Sequence, residues 1–244
     1  MPTLDGKVAV VTGGSRGIGH ATARALAAAG ARVVISSTNE ASVAQAARDL
    51  GSAVIGVRAD VRKDEDVTRM FETVVSAFGG LDILVNNAGV GGFESVERTS
   101  LEAWRDVIDT NLTGVFLCTR RALPLMRARG GGWLINISSL ASTNPFADGA
   151  TYCASKAGLN AFTEALMQEV RQDGIRVAAV LPGSVRTGFM GRSRSGRGSS
   201  PPSDDAWKLA PEDVAQVVVD LVGHPARSLP SRVEIRPARP PKRG

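Results

Sequence analysis

The chain has 244 residues, of which 43% are hydrophobic and 22% charged. This length and composition suit one well-buried α/β core, so we predict a single domain over residues 1–244. Two cysteines and two histidines make neither a disulfide framework nor a metal-ligand set, and no apolar stretch is long enough to cross a bilayer. The N-terminus also lacks a signal-peptide pattern. We therefore expect a soluble, cytoplasmic protein with no metal and no membrane partner.

The formal net charge of +5 is concentrated at the C-terminal end. Residues 1–185 carry 18 basic and 18 acidic side chains, whereas residues 186–244 carry 11 basic and 6 acidic ones, a difference of 5. Aromatic residues do not alternate with these basic ones, as they would in a nucleic-acid platform. We expect a solvated basic tail at 237–244 and no nucleic-acid partner, while an anionic substrate or partner at this end stays open.

Short β-branched runs alternate with longer Ala- and Leu-rich patterns of helical period. The predicted strands are Lys7–Thr12, Arg32–Ser37, Ala53–Val57, Asp82–Asn86, Trp133–Ser138, Ile175–Leu181 and Arg232–Arg236. The predicted helices include Ala21–Ala29, Asp64–Phe78, Leu101–Arg129, Tyr152–Asp173 and Pro211–Val222. This alternation predicts an α/β fold with about seven mostly parallel strands and helices on both faces.

Glycine and proline residues, which break helices, divide the helical pattern further. Gly30, Gly79 and Gly174 fall where helices should stop. Pro124 should kink or end the long helix near Leu123, because proline removes a helical hydrogen bond.

The only tyrosine of the chain, Tyr152, stands four residues before Lys156. Residues four apart share one face of a helix, so the phenol and the ammonium should point into the same space. A free phenol with a pKa near 10 is a poor acid or base at neutral pH, and a neighbouring cation would lower that pKa. The pair therefore indicates proton transfer, although two ordinary residues on an amphipathic helix would show the same spacing.

A glycine-rich turn, Thr12–Gly19, follows the first predicted strand and leads into the first helix. Its glycines would let a dinucleotide pyrophosphate approach backbone N–H groups at the helix N-terminus, where the helix dipole favours negative charge. The spacing differs from Gly-x-Gly-x-x-Gly, so the turn should be longer than in that motif.

Together these motifs resemble the short-chain dehydrogenase/reductase family. The chain carries that family's Thr-Gly-x-x-x-Gly-x-Gly at Thr12–Gly19, its Asn-Asn-Ala-Gly at Asn86–Gly89 and its Tyr-x-x-x-Lys at Tyr152–Lys156. Ser139 precedes Tyr152 at the family's usual separation, and Asn111 lies in the preceding long helix. The resemblance covers about residues 5 to 187. It implies a Rossmann-like doubly wound sheet and an oxidoreductase that moves hydride between a nicotinamide and a carbonyl or secondary alcohol.

By this resemblance, Tyr152 would be the acid/base and Lys156 would lower its pKa and hold the nicotinamide ribose. Ser139 would donate a hydrogen bond to the substrate oxygen, where charge grows as hydride adds to carbon. Ser138 is the alternative, and spacing favours Ser139. Asn111 would maintain a water link from Lys156 to solvent, unless it is a buried asparagine bonded to nearby backbone.

The resemblance also implies a set of cofactor-binding residues at the ends of the strands. They are Gly13, Ser15, Arg16, Gly17, Ile18, Gly19, Ser37, Asp60, Val61, Asn87, Ala88, Gly89, Tyr152, Lys156, Pro182, Gly183, Val185 and Thr187. Among them, Asp60 and Val61 would lie near the adenine, and the segment from Pro182 to Thr187 near the nicotinamide carboxamide and the phosphates.

Cofactor choice depends on the end of the second strand, residues 35–39, which contains no acidic side chain. An acidic residue there would bond the ribose hydroxyls of NAD and repel a 2′-phosphate. Arg16, in the glycine turn, is placed to pair with that phosphate. We therefore predict NADP(H) in preference to NAD(H), although Thr38 stands where an arginine would have strengthened this prediction.

The chain departs from the family in its last strand, where the glycine pair that supports tetramer packing in many relatives is missing. We predict a homodimer or homotetramer, with a dimer through the helices that contain Leu101 and Tyr152 as the first expectation. Residues 188–210 occupy the place of a mobile substrate lid, and Arg192, Arg194 and Arg197 within it would receive an acidic substrate or simply be solvated.

Substrate identity stays open, with a 3-oxoacyl reductase-like activity among those that the family implies. The main alternative function is a catalytically silent dinucleotide-binding regulator on the same fold. Retention of all four candidate catalytic residues favours the enzyme.

Overall fold

The computed structural model describes residues 3–189 and 205–241, and within them seven strands form one parallel sheet in the order β3-β2-β1-β4-β5-β6-β7. The strands are β1 (Val8–Val11), β2 (Arg32–Ser37), β3 (Val54–Arg58), β4 (Ile83–Asn86), β5 (Gly132–Ile137), β6 (Ile175–Pro182) and β7 (Arg232–Ile235). The helices are α1 (Gly17–Ala28), α2 (Glu40–Leu50), α3 (Asp64–Phe78), α4 (Leu101–Ile108), α5 (Gly114–Ala128), α6 (Ala150–Val170) and α7 (Pro211–Val222). The predicted doubly wound α/β class is confirmed.

Helices cover both faces of the sheet because successive strand residues point to opposite sides. On β1, Ala9 and Val11 join one buried cluster with residues of α1, α2 and α7, whereas Val8 and Val10 join another with residues of α3, α5 and α6. Both faces are therefore apolar, which explains why the strands are nearly continuous in hydrophobic residues.

The strand order reverses between β1 and β4, which are neighbours in the sheet. Chains that leave β1 and β4 cross to opposite sides, so a crevice opens beyond the carboxyl ends of these two strands. The glycine turn follows β1 and the Asn-Asn-Ala-Gly segment follows β4, and both therefore lie at this crevice.

Of the two outcomes predicted at Pro124, an end of the helix near Leu123 is wrong, and a kink there stays a prediction. The predicted helix Leu101–Arg129 is divided earlier, by a π-helical segment at Asp109–Thr113, and α5 continues through Pro124 to Ala128. Buried side chains on both sides of the proline, Ala122 and Met126, keep this helix packed on the sheet and compensate for the lost hydrogen bond.

The other breakers act as predicted. Gly79 follows α3, and Gly174 follows the short turn at the end of α6; both have the left-handed conformation. Gly30, after α1, also has a positive φ, of 102°. Strand ends agree with prediction to within about two residues, as expected for boundaries read from a pattern. Helix α2 was not among the named predictions.

Two predicted features fall partly on residues that are not described. The lid at 188–210 is described only at 188–189 and 205–210, and its three arginines lie outside the described residues, as do the last three residues of the basic tail. The single-domain organisation over 1–244 stays a prediction. Within residues 3–189 and 205–241, no helix is long and apolar enough to span a membrane.

Candidate active site

The predicted site residues converge on one edge of the sheet. Most of them lie at or just after the carboxyl ends of β1 to β6 and on the first turns of α6, whereas Asn111 lies in the π-helical segment between α4 and α5. In an open parallel sheet this edge is where ligands bind, because the crossover connections leave a crevice there.

The glycine turn is fastened to the Asn-Asn-Ala-Gly segment by short polar contacts. The Thr12 hydroxyl accepts hydrogen bonds from the backbone N–H groups of Asn87 and Ala88, each at 3.0 Å. The Asn87 amide donates in return to the carbonyls of Thr12, at 2.9 Å, and Gly13, at 3.2 Å. The two walls of the crevice are therefore held in a fixed relation.

This contact leaves no space for side chains at the glycines. A Cβ on Gly13 would lie 2.9 Å from the Cα of Ala88, and one on Gly19 would lie 2.4 Å from both the Asn87 amide nitrogen and the Gly13 carbonyl oxygen. The turn therefore presents bare backbone at the start of α1, as a pyrophosphate requires. The segments present fit a dinucleotide.

The loop after β6 closes on the same turn. The Thr187 Cγ2 lies 3.3 Å from where a Cβ of Gly17 would stand, and Arg16 Nη1 lies 4.0 Å from the corresponding position at Gly188. The Arg16 guanidinium therefore lies beside the β6 loop, and the structure leaves its predicted contact with a 2′-phosphate untested.

At the end of β2, the Ser37 hydroxyl lies 3.4 Å from the backbone N–H of Asn39, whose side chain caps α2 by accepting from the Ser42 N–H at 2.8 Å. This end of the crevice contains hydroxyl groups and a helix N-terminus, with the acidic Glu40 in the first turn of that helix.

Asp60, expected near the adenine, is held by its neighbour. Arg62 Nε and Nη2 donate to its carboxylate at 2.9 and 2.6 Å. These hydrogen bonds are the main cause of an Asp60 pKa below its usual value. The carboxylate of Asp60 is thus already paired, and a contact with adenine would compete with Arg62.

Tyr152 and Lys156 share a face of α6, as their spacing predicted. Lys156 Nζ lies 6.0 Å from the centre of the Tyr152 ring and donates to the Ile137 carbonyl at 2.8 Å. Both side chains are buried, with 9% and 4% of their surface exposed. Their helix therefore brings a phenol and an amine together at the end of β5.

Burial shifts the pKa of both groups. It lowers the pKa of Lys156 to about 8 from 10.5, because a low-dielectric surrounding disfavours the ammonium. Burial likewise raises the pKa of Tyr152, while a hydrogen bond with Ser139 acts in the opposite direction. The net shift of the Tyr152 pKa is therefore upward, opposite to the lowering expected from Lys156, and Lys156 is not among its causes.

The two adjacent serines have different partners, and the choice of Ser139 stays a prediction. The Ser139 hydroxyl acts on the Tyr152 phenol, whose pKa it lowers, and it accepts from the Ala141 N–H at 3.1 Å. Ser138 instead donates to the Asn160 amide oxygen at 2.6 Å and is buried. Ser139 is the serine that shares the site with the phenol.

Asn111 lies in the π-helical segment and is fully buried. Its amide oxygen accepts from the Val90 N–H at 2.9 Å, and its amide nitrogen donates to the Val90 carbonyl at 2.9 Å and to Ser155 Oγ at 3.0 Å. The backbone-bonded alternative is therefore what the structure contains. A Cβ on Gly89 would lie 3.2 Å from Asn111 Oδ1 and 3.7 Å from Lys156 Nζ, so the two side chains flank this glycine.

Sequence reasoning missed two features of the site. Asn160 donates to Ser142 Oγ at 2.8 Å, and Ser142 in turn donates to the Ser139 carbonyl at 2.5 Å. Asn160 lies four residues after Lys156 and shares its helix face, so that spacing could have revealed it. The second feature is an aromatic cluster around Tyr152, for which no local pattern exists.

Fold and site together define a dinucleotide-binding α/β protein with a candidate proton-transfer centre. The model of the short chain dehydrogenase family matches residues 7–198. The chain therefore belongs to the short-chain dehydrogenase/reductase family, and it is an oxidoreductase of that family, whose members bind nicotinamide dinucleotides.

Relatives of known name differ in substrate. A 3-oxoacyl-[acyl-carrier-protein] reductase of Synechocystis is 43% identical over 192 residues, 77% of each chain. A 3beta-hydroxysteroid dehydrogenase of Eggerthella lenta is 42% identical over 75% of this chain and 72% of its own. A cis-4-hydroxycyclohexanecarboxylate dehydrogenase of Sinomonas cyclohexanicum is 39% identical over 90% of both chains.

Similar solved structures differ in cofactor. A 3-ketoacyl-(acyl-carrier-protein) reductase from Brucella melitensis, complexed with NADH, aligns with a TM-score of 0.88 at 30% identity, over 97% of this chain and 99% of the other. A metagenomic short-chain oxidoreductase in complex with NADP aligns with a TM-score of 0.83 at 36% identity and the same coverage. The choice between the two cofactors is therefore not settled by likeness.

Proposed function

We propose that the protein transfers hydride between NADP(H) and a carbonyl or secondary alcohol, with Tyr152 as acid/base. The observation that carries this proposal is the convergence of Tyr152, Ser139 and Lys156, with Lys156 beside Gly89 in the segment that is hydrogen-bonded to the glycine turn. A bound nicotinamide supplies or accepts the hydride. The protein supplies the proton from the Tyr152 oxygen. Ser139 donates a hydrogen bond to the substrate oxygen, on which negative charge develops.

In this proposal Lys156 holds the nicotinamide ribose. Its ammonium lies beside Gly89, whose missing side chain leaves room there. Asn111 holds the Val90 backbone next to that glycine. Asn111 thus positions the wall against which the ribose would rest.

The substrate is a compound with an oxo or hydroxyl group on carbon. The names of the three relatives each describe such a group, on an acyl chain, a steroid or a cyclohexane. A 3-oxoacyl reductase-like activity is therefore one candidate within this class.

Replacement of the phenol tests the central role. Tyr152→Phe removes the only phenol of the chain and should abolish turnover while leaving NADPH binding intact, because the ring still packs. Ser139→Ala should lower kcat by about 100-fold, as for other lost oxyanion donors. Ser138→Ala is the matched control at the adjacent serine, and it should lower stability rather than kcat.

Near wild-type turnover by Tyr152→Phe would refute the assigned role. Cofactor binding by the wild type without turnover of any ketone, alcohol, oxoacyl thioester, quinone or sugar would instead support a silent dinucleotide-binding regulator.

The preference for NADP rests on Arg16 and on the absence of an acidic residue at the end of β2. Charge-assisted hydrogen bonds contribute about 1.5–3 kcal/mol each, so Arg16→Ala should weaken NADP by roughly 10-fold to 100-fold and NAD little. Steady-state rates with both cofactors measure this. An NAD preference that is present in the wild type and survives Arg16→Ala would defeat the prediction.

We also propose a homo-oligomer in the cytoplasm. Apolar side chains stand at the surface of α4 and α5, with Leu101 62%, Trp104 40% and Phe116 45% exposed. Burial of these side chains against a second copy would favour association. Light scattering in solution measures the assembly.

A further inference from the structure

Three of the seven phenylalanines of the chain pack around its single tyrosine. The ring centroid of Phe93 lies 5.4 Å from that of Tyr152, 6.0 Å from Phe146 and 6.4 Å from Phe189. Phe189 also contacts Tyr152 directly, at 5.7 Å. The rings are tilted or edge-on to one another, which is the arrangement of attractive aromatic pairs. The acid/base candidate therefore lies in an aromatic wall.

Backbone geometry holds two of these rings in place. A Cβ on Gly91 would lie 2.5 Å from Phe93 Cε2, and one on Gly149 would lie 2.4 Å from Phe146 Cε2. Asp148, beside Gly149, has a φ of 60°, a conformation that residues other than glycine rarely adopt. Such strain persists only where the surrounding structure holds it, and it is common at binding sites. The loop before α6 thus fixes Phe146 next to Phe93.

The buried neighbours of Tyr152 within this cluster are uncharged. Ala141 and Cys153 pack beside it, and the partly buried rings of Phe93 and Phe189 complete the cluster. The polar side chains near the phenol are Ser139, to which the proposed function assigns a hydrogen bond with the substrate oxygen, and Lys156, assigned to the nicotinamide ribose. The remaining surface of the substrate would meet aromatic rings.

An aromatic wall discriminates by the shape and stiffness of its ligand. A planar or cyclic ligand can meet ring faces and edges at several points, and each such pair adds to the burial of apolar area. A linear chain makes fewer such contacts and loses more rotational freedom when it is immobilised.

We propose that Phe93 and Phe189 select aryl and alicyclic ketones, and the corresponding secondary alcohols, over linear ones. This inference rests on the proposed function. The chemical step is unchanged: the carbonyl carbon gains the hydride, the oxygen gains the proton of Tyr152, and the reduced nicotinamide is oxidised. Phe93 and Phe189 are chosen because they contact the Tyr152 ring itself.

The test uses the full chain with NADPH and three ketones that have the same number of carbon atoms: acetophenone, 4-ethylcyclohexanone and 2-octanone. The ratio of kcat/KM for each cyclic ketone to that for 2-octanone should be about tenfold or more in the wild type. Phe93→Leu and Phe189→Leu keep an apolar side chain but remove the ring, and each should lower this ratio by about threefold to tenfold.

Phe78→Leu is the matched control, because Phe78 lies outside the cluster, at the end of α3, where its ring stacks on Arg32. Its ratio should equal that of the wild type. Thermal melting establishes that each variant folds, and Phe189, which is only partly buried, provides a second variant if Phe93→Leu fails to fold.

Equal kcat/KM for cyclic and linear ketones, or ratios that neither leucine variant changes, would overturn the selection by rings and leave the proposed function standing. Absence of turnover with all three ketones and with the wider carbonyl panel would overturn both.

Discussion

Replacement of Lys156 by methionine should make the protein more stable and inactive. Burial lowers the pKa of Lys156 to about 8 from 10.5, and this interval corresponds to about 3 kcal/mol of penalty on the charged form. Methionine has a similar length, carries no charge and adapts to irregular space. The variant loses the hydrogen bond from Lys156 to the Ile137 carbonyl, and this loss offsets part of the relieved penalty. We therefore expect a net gain in free energy of unfolding of about 1–3 kcal/mol near pH 7.

The gain should depend on pH in a defined direction. Below about pH 8 both the folded and the unfolded wild type carry the Lys156 proton, and the full penalty is present. Between about 8 and 10.5 the unfolded chain binds a proton that the folded chain does not, so wild-type stability rises relative to the variant. The advantage of Lys156→Met should therefore disappear toward pH 10.5.

Urea unfolding of both proteins across this pH range measures the effect, and the difference between them cancels titrations that they share. Lys63→Met, at an exposed lysine, removes the same side chain without removing a buried ammonium and serves as the control. A stability gap between wild type and Lys156→Met that stays constant from about pH 7 to pH 10 would refute the reasoning. Retention of turnover by Lys156→Met would contradict its role with the nicotinamide ribose.

Two further substitutions test a support of the site, Asn160, and a support of the opposite edge of the sheet, Asp82. Asn160→Ala breaks the hydrogen bonds that connect α6 to Ser138 and Ser142. It should lower the free energy of unfolding in urea by about 2 kcal/mol, and it should lower kcat more than it changes KM. An unchanged kcat would show that Asn160 is only structural. Asp82→Ala leaves the buried Val8 N–H, bonded at 3.0 Å, without its acceptor and removes two ion pairs, at a cost of about 2–4 kcal/mol near pH 7. Because the Asp82 pKa is lowered below 3.8, the wild type should lose this advantage only as the pH falls below that value, and an equal gap at lower pH would contradict it.

Much of the fold could be predicted because its signals are local. Alternation of short β-branched runs with helical patterns follows from the two backbone periods, and it predicted the parallel sheet and its strands. The expected end of the helix at Pro124 is wrong for a reason that is not local. A proline costs one hydrogen bond wherever it occurs, but whether the helix continues depends on how firmly neighbours such as Met126 are packed, and that is a property of the whole core.

The same division applies to the site. The shared face of Tyr152 and Lys156 follows from the helical repeat alone, and the glycine turn follows from the small size of its residues. The partners of Asn111 and of Ser138 needed contacts between segments far apart in the chain.

Sequence by itself thus determined which groups are available for proton transfer and on which elements they lie, because helix and strand periods act over a few residues. Tertiary structure alone decided the surroundings of those groups. The aromatic wall joins Phe93, Phe146 and Phe189 from three separate connections, and the lowered pKa of Lys156 depends on burial by several elements. Both arise from long-range packing, which no local pattern encodes.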